Sequence, residues 1–156
     1  MRNLILAAML LSSPALAQEP IVGQASVIDG DTLEIHGQRI RLHGVDAPES
    51  RQPCSDASGA PYRCGQKAAM ALSDFLSRST VSCQPLDLDR YGRTVAKCFV
   101  RGVDIEKWLV SNGLAVAYRK YSGDYIAAED EAHAAHRGIW AGQFEMPSDF
   151  RKAKVR

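Results

Sequence analysis

Apolar and polar positions alternate through the opening part of this chain, and the alternation predicts strands. Gln24 to Ile28 forms one strand, broken by Asp29-Gly30. Leu33 and Ile35 alternate with polar neighbours. After a turn at His36-Gly37-Gln38, Ile40 and Leu42 share one face while Arg39, Arg41 and His43 share the other. Pro48 has no amide hydrogen to donate, so the strand ends at Asp46-Ala47-Pro48-Glu49. Residues 50–63 carry Pro53, Gly59 and Pro61 and read as a loop. The period then changes: Ala68, Leu72, Phe75 and Leu76 fall on one helical stripe.

Val81 to Leu88 and Thr94 to Val100 form a hairpin around Asp89-Arg90-Tyr91-Gly92. If the turn is centred between Arg90 and Tyr91, facing positions sum to 181, as Cys83 and Cys98 do. A short helix follows with Ile105, Trp108 and Leu109 on one face and Gly113 as its stop. Leu114 to Tyr118 reads as extended. The last helix runs from Asp124, as N-cap, to Arg137, with Gly138 ending it. Ile139 and Trp140 fold back on the core, and residues 151–156 form a basic, frayed tail. The fold class is α+β: a small barrel with about three packed α-helices. A five-stranded barrel of this kind is the OB-fold (oligonucleotide-binding fold), although strand count alone does not select it over other α+β folds.

A chain of 156 residues accommodates one domain. Residues 1–17 read as an export signal: Arg2, an apolar run from Leu4 to Leu11, then Ala15-Leu16-Ala17, with Gln18 as the new N-terminus. That run is too short to span a bilayer, so no membrane attachment is expected after cleavage. The domain then occupies residues 18–150, secreted or periplasmic, and no feature demands more than a monomer. Losing Arg2 lowers the 19 Lys+Arg to 18, against 18 Asp+Glu, so the mature chain is formally neutral. Attraction to a polyanion would therefore come from a local patch. Four cysteines, Cys54, Cys64, Cys83 and Cys98, lie in the exported part. An even count in an oxidising compartment reads as disulfides, with three connectivities open. Cys54–Cys64 with Cys83–Cys98 is favoured, the second pair by the hairpin register. A zinc site is disfavoured, because no C-x-x-C pair is present.

The acids cluster where turns meet strands. Asp31 lies in Ile28-Asp29-Gly30-Asp31-Thr32, and Asp46 and Glu49 in Val45-Asp46-Ala47-Pro48-Glu49. Carboxylate and carbonyl oxygens at such places suit a hard cation, although each cluster alone reads as turn chemistry. Arg41 leads into the second cluster, and Arg93 follows the Tyr91-Gly92 turn. A guanidinium can grip a phosphate with two parallel hydrogen bonds. Together the pattern is far more specific. Ile28 to Thr32, then Arg41-Leu42-His43-Gly44-Val45-Asp46-Ala47-Pro48-Glu49, then Asp89-Arg90-Tyr91-Gly92-Arg93 occur in that order. Gly113-Leu114-Ala115 and Gly138-Ile139-Trp140 follow. This resembles the staphylococcal nuclease (thermonuclease) family, from about Gln24 to Trp140.

The resemblance implies a calcium-dependent nuclease acting on DNA and/or RNA. Asp31 and Asp46 would be calcium ligands, with the backbone carbonyl of Ala47 as another. Glu49 would act on the attacking water. Arg41 and Arg93 would bind the scissile phosphate. Tyr118 matches a nucleotide-stacking tyrosine, Tyr121 matches more loosely, and Asp29 would support the metal site. Two departures stand out. Ala47 replaces a common threonine, and the loop from Arg51 to Cys64 carries a disulfide that the best-known member lacks. The rival reading is a non-catalytic oligonucleotide-binding module, which needs the arginines but not the carboxylates. A structural secreted domain is a third. His133 and His136 share a helix face with Glu129 and could hold a transition metal, but a solvated face is the simpler reading.

Overall fold

The computed structural model describes residues 18–154, so the export signal expected over residues 1–17 and the last two residues of the tail lie outside it. Strands β1 (Ile21–Gln24), β2 (Ser26–Asp29), β3 (Thr32–Ile35), β4 (Gln38–Leu42) and β5 (Val45–Asp46) come first. The predicted first strand is thus two pieces bent at Ala25. Short strands β6 (Pro53–Ser55) and β7 (Pro61–Arg63) occupy the expected loop and precede α1 (Cys64–Leu76). The hairpin is β8 (Thr80–Leu88) and β9 (Thr94–Val100), followed by β10 (Val103–Asp104), α2 (Ile105–Ser111) and β11 (Val116–Ala117). Helix α3 (Ile126–Ala134), a 3-10 turn (Gly138–Ala141), β12 (Gln143–Phe144) and α4 (Pro147–Ala153) complete the described chain.

The main sheet runs β1-β8-β9-β4-β3-β2, with β10 also on β9. The segment Ile21–Asp29 pairs with β8 through its first half and with β3 through its second. One bent segment therefore joins both edges of the path, and the sheet curls on itself. Its concave face is apolar because alternate residues turn inward. Thr94, Ala96, Cys98 and Val100 of β9 are buried, whereas Val95, Lys97 and Phe99 between them are not. Leu33, Ile35, Ile40, Leu42 and Val81 join Leu72 and Leu76 of α1 and Ile105 and Leu109 of α2 in one core. Fully burying each such side chain stabilises the fold by about 1.5–3 kcal/mol.

The described residues form four α-helices, against about three expected: α1 packs on β2, α2 on β9, and α3 on α2. In α1, Ala68, Leu72 and Leu76 are buried, and Phe75 stacks on Trp108 of α2 at 3.9 Å between ring centroids. In the hairpin, Cys83 faces Cys98 across the ladder, and the two are bonded with Cα atoms 4.0 Å apart. The ladder shifts beyond Pro85, leaving Leu86 as an extra residue beside a proline that has no N–H to donate. Cys54 and Cys64 form the second disulfide, Cα atoms 5.7 Å apart.

Two expectations need correction. Helix α3 begins at Ile126 with no side-chain cap, so Asp124 is not its N-cap. Asp124 instead faces Lys97 at 3.8 Å and His43 at 3.5 Å. The tail does not fray at Arg151: Arg151, Lys152 and Ala153 complete α4, whose Pro147 starts the helix with a preset φ.

Candidate active site

Three short elements deliver the acids to one place. Asp31 ends the β2–β3 turn, where its amide donates to Asp29 Oδ1 at 3.2 Å. Leu42 N–H donates to the Asp31 carbonyl at 2.9 Å, tying that turn to the end of β4. Gly44, at φ +68°, turns the chain into β5, and β5 pairs with β11 so that Asp46 lies opposite Val116. Gly30 has no room for a side chain: a Cβ there would lie 2.6 Å from that of Ala47. The two acid-bearing turns are packed directly together.

Asp31 and Asp46 are buried, at 4% and 1% exposure. Ala47 N–H donates to Asp31 Oδ2 at 2.8 Å. Arg41 forms an ion pair with Asp31 Oδ1 and donates to Asp46 Oδ1 at 3.3 Å. Its guanidinium therefore bridges the two buried carboxylates. Burial pulls Arg41 downward, but Asp31 and Asp46 outweigh it and hold the guanidinium above its usual pKa. Burial pushes Asp46 upward, opposed by the hydrogen bond from Arg151. Asp29 is pushed up to about 6 by burial and by the neighbouring charge of Asp31.

Glu49 sits on a rigid support. Its amide donates to the Gln52 side-chain oxygen at 3.1 Å, and Gln52 N–H returns to the Glu49 carbonyl at 2.7 Å. Gln52 is fully buried, and its Nε2 donates to the Glu145 carbonyl at 2.6 Å. Gly65 of α1 lets the helix approach this turn: a Cβ there would lie 1.9 Å from the Glu49 carbonyl oxygen.

A residue unforeseen at this site completes it. Arg151 Nη1 donates to Asp46 Oδ1 at 2.8 Å and Glu49 Oε1 at 3.0 Å, and Nη2 donates to Asp46 Oδ2 at 2.9 Å. Three carboxylates thus share two guanidinium groups. Arg151 lies 105 positions from Asp46, and its only sequence signal was a basic tail. It arrives there because β12 pairs with β6 and carries the chain back beside the Cys54–Cys64 loop.

Arg93 and the tyrosines stand differently. Arg93 donates through Nε to Asp89 at 2.6 Å, inside its own hairpin turn, and its guanidinium lies 5.6 Å from the Tyr91 ring. Among the described residues it makes no hydrogen bond to the Arg41 cluster. Tyr118 follows β11, and its amide donates to the Gly44 carbonyl at 2.8 Å, which fixes it beside β5. Tyr121 is exposed and meets Tyr118 edge to face at 4.7 Å. His43 turns to Asp124 rather than to the acids. Glu129 is taken by Arg119 at 2.6 Å and by the Ala117 amide at 2.6 Å, and His133 packs on Trp140.

No group of three His, Cys, Asp or Glu side chains stands ready for a metal ion among the described residues. The oxygens of Asp31, Asp46 and Glu49 are instead engaged by arginines and the Ala47 amide. The three carboxylates are oxygen donors of the kind a hard cation takes.

The family model described as staphylococcal nuclease homologue matches residues 39–142. The chain belongs to this family. A Rhizobium meliloti (strain 1021) protein named "Succinoglycan biosynthesis protein ExoI" is 47% identical over 97% of this chain and 81% of its own. A Haemophilus influenzae protein named "Uncharacterized endonuclease" is 33% identical over 81% of this chain and 70% of its own. A rice (Oryza sativa subsp. japonica) protein named "Probable staphylococcal-like nuclease CAN2" is 32% identical over 73% of this chain but only 29% of its own.

Proposed function

We propose that this chain is a calcium-dependent nuclease that hydrolyses phosphodiester bonds of DNA and/or RNA outside the cytoplasm. Family membership and relatives named as nuclease and endonuclease support nucleic-acid hydrolysis in general. The observation that carries the finer reading is the convergence of Asp31, Arg41 and Asp46 in one ion-paired cluster that Arg151 extends to Glu49. A binding module has no use for buried carboxylates that repel phosphate. The curled sheet supports an OB-like barrel, whose five strands would be the bent β1/β2, β3, β4, β8 and β9. The two disulfides suit an oxidising compartment.

Each residue then has a distinct task. Asp31 and Asp46, with the Ala47 carbonyl, would hold calcium. When bound, that ion supplies positive charge at the transferring phosphoryl group with flexible coordination. Glu49 positions the attacking water and accepts its proton, on a turn fixed by Gln52 and Gly65. Arg41 exchanges its carboxylate contacts for phosphate oxygens, where negative charge builds in the transition state. Arg93 reaches the same phosphate by leaving Asp89. Tyr118 and Tyr121 offer ring surface to a base, and Asp29 supports the Asp31 turn. The protein works as a monomer and needs no membrane.

The test is Glu49→Gln. With the fold intact by circular dichroism, kcat on single-stranded DNA falls by about 10²–10⁴, the usual contribution of general base catalysis. Turnover within threefold of the parent would remove Glu49 from the chemistry.

A further inference from the structure

Arg151 fills three acceptor positions in the site, yet the hydrolysis described above gives it no task. Its two-pronged grip covers both oxygens of Asp46 and one of Glu49. The first two are oxygens proposed to hold calcium, and the third is proposed to hold water. A guanidinium and a divalent cation need the same lone pairs, and at a shared carboxylate they repel each other.

The helix that carries Arg151 is weakly held. Only Pro147 of α4 is buried, and Arg151 sits in its last turn. The chain before it is fixed, by β12 on β6 and by Gln52 Nε2 on the Glu145 carbonyl. An element with so little buried surface is the kind that opens locally without unfolding the rest.

We infer that Arg151 is an intramolecular competitor for the cation site. It holds Asp46 and Glu49 in the metal-free protein, gives way with α4 when a divalent cation loads, and so raises the calcium concentration needed to fill the site. This role rests on the calcium assignment of Asp31 and Asp46. Without Arg151, Asp31 and Asp46 would be two buried negative charges sharing Arg41 alone, and Arg151 keeps the Asp46 carboxylate paired.

The test is calcium titration of the mature chain and of Arg151→Gln by isothermal calorimetry, beside amide hydrogen exchange of α4. Losing a charge-assisted bidentate contact predicts about tenfold tighter calcium binding in Arg151→Gln. Saturating calcium also speeds exchange at residues 148–153 of the unmutated chain. Equal or weaker calcium affinity in a folded Arg151→Gln overturns the competitor role and leaves the calcium assignment standing. Unchanged α4 exchange at saturating calcium overturns it too, with no variant required. If neither chain binds calcium, both the assignment and the competitor role fall.

Discussion

Gly65→Ala places a single methyl group against the backbone of the proposed catalytic turn. The new Cβ would lie 1.9 Å from the Glu49 carbonyl oxygen and 2.6 Å from that of Pro48. Ordinary contact begins at 3.4 Å, so the turn or the helix must give by about 1.5 Å. Neither partner is a flexible side chain. The Glu49 turn is held by two hydrogen bonds to Gln52, and α1 is locked by Ala68, Leu72 and Leu76. Overpacking of this kind costs about 1–3 kcal/mol, which a domain of this size survives. A catalytic group misplaced by about 1 Å loses on the order of 10²-fold in rate. The expected phenotype is a folded protein, a few degrees less stable, with kcat lowered roughly 100-fold. Thermal melting and steady-state cleavage of single-stranded DNA measure the two effects separately. A Gly65→Ala chain with kcat within twofold of the parent would refute the idea that α1 positions Glu49.

Two further predictions concern stability. Replacing Cys83 and Cys98 together by alanine opens a loop of 15 residues, worth about 3 kcal/mol in the chain-entropy model. Tm should fall by roughly 6–12 °C, and an unmoved Tm would show that the hairpin needs no staple. Glu106 is fully buried and accepts the Cys98 amide at 3.0 Å and 3.2 Å, one bond to each oxygen. Burial, then the charge of Asp104, pushes its carboxyl well above the usual carboxylate range. The folded state therefore holds this proton more tightly than the unfolded state. Its contribution is complete below about pH 4 and is lost as pH rises towards the raised folded value. Glu106→Gln, which keeps an acceptor oxygen, should lose ground to the parent at acid pH and gain on it as pH rises. A difference in chemical-denaturation stability that ignores pH would contradict this.

The fold was legible where local pattern and tertiary need agreed. In the β8–β9 hairpin Cys83 does face Cys98, but the turn closes one half-position later than expected, on Tyr91 with Asp89 opposite Arg93, and the extra residue Leu86 restores the register at the cysteines. The Leu86 bulge was missed, although Pro85 in a strand was its signal. Asp124 was misread because an aspartate before an apolar run resembles a cap; it is instead drawn to Lys97 and His43 from another element. At the site, Asp31, Arg41, Asp46 and Glu49 were visible because short turns bring them together. Gln52 and Arg151 were not. Gln52 acts through a backbone carbonyl 93 positions away, and Arg151 reaches across 105 positions through a strand pairing that no local period encodes. Arg93 was grouped with Arg41, but its turn supplies a carboxylate of its own in Asp89.

Cleavage of single-stranded DNA by the purified mature chain, in calcium and in excess EGTA, tests the central claim most directly. The site predicts cleavage with calcium and none with EGTA. Cleavage that persists in EGTA would contradict a cation held by Asp31 and Asp46. A strand that binds yet stays whole in both would contradict the nuclease itself.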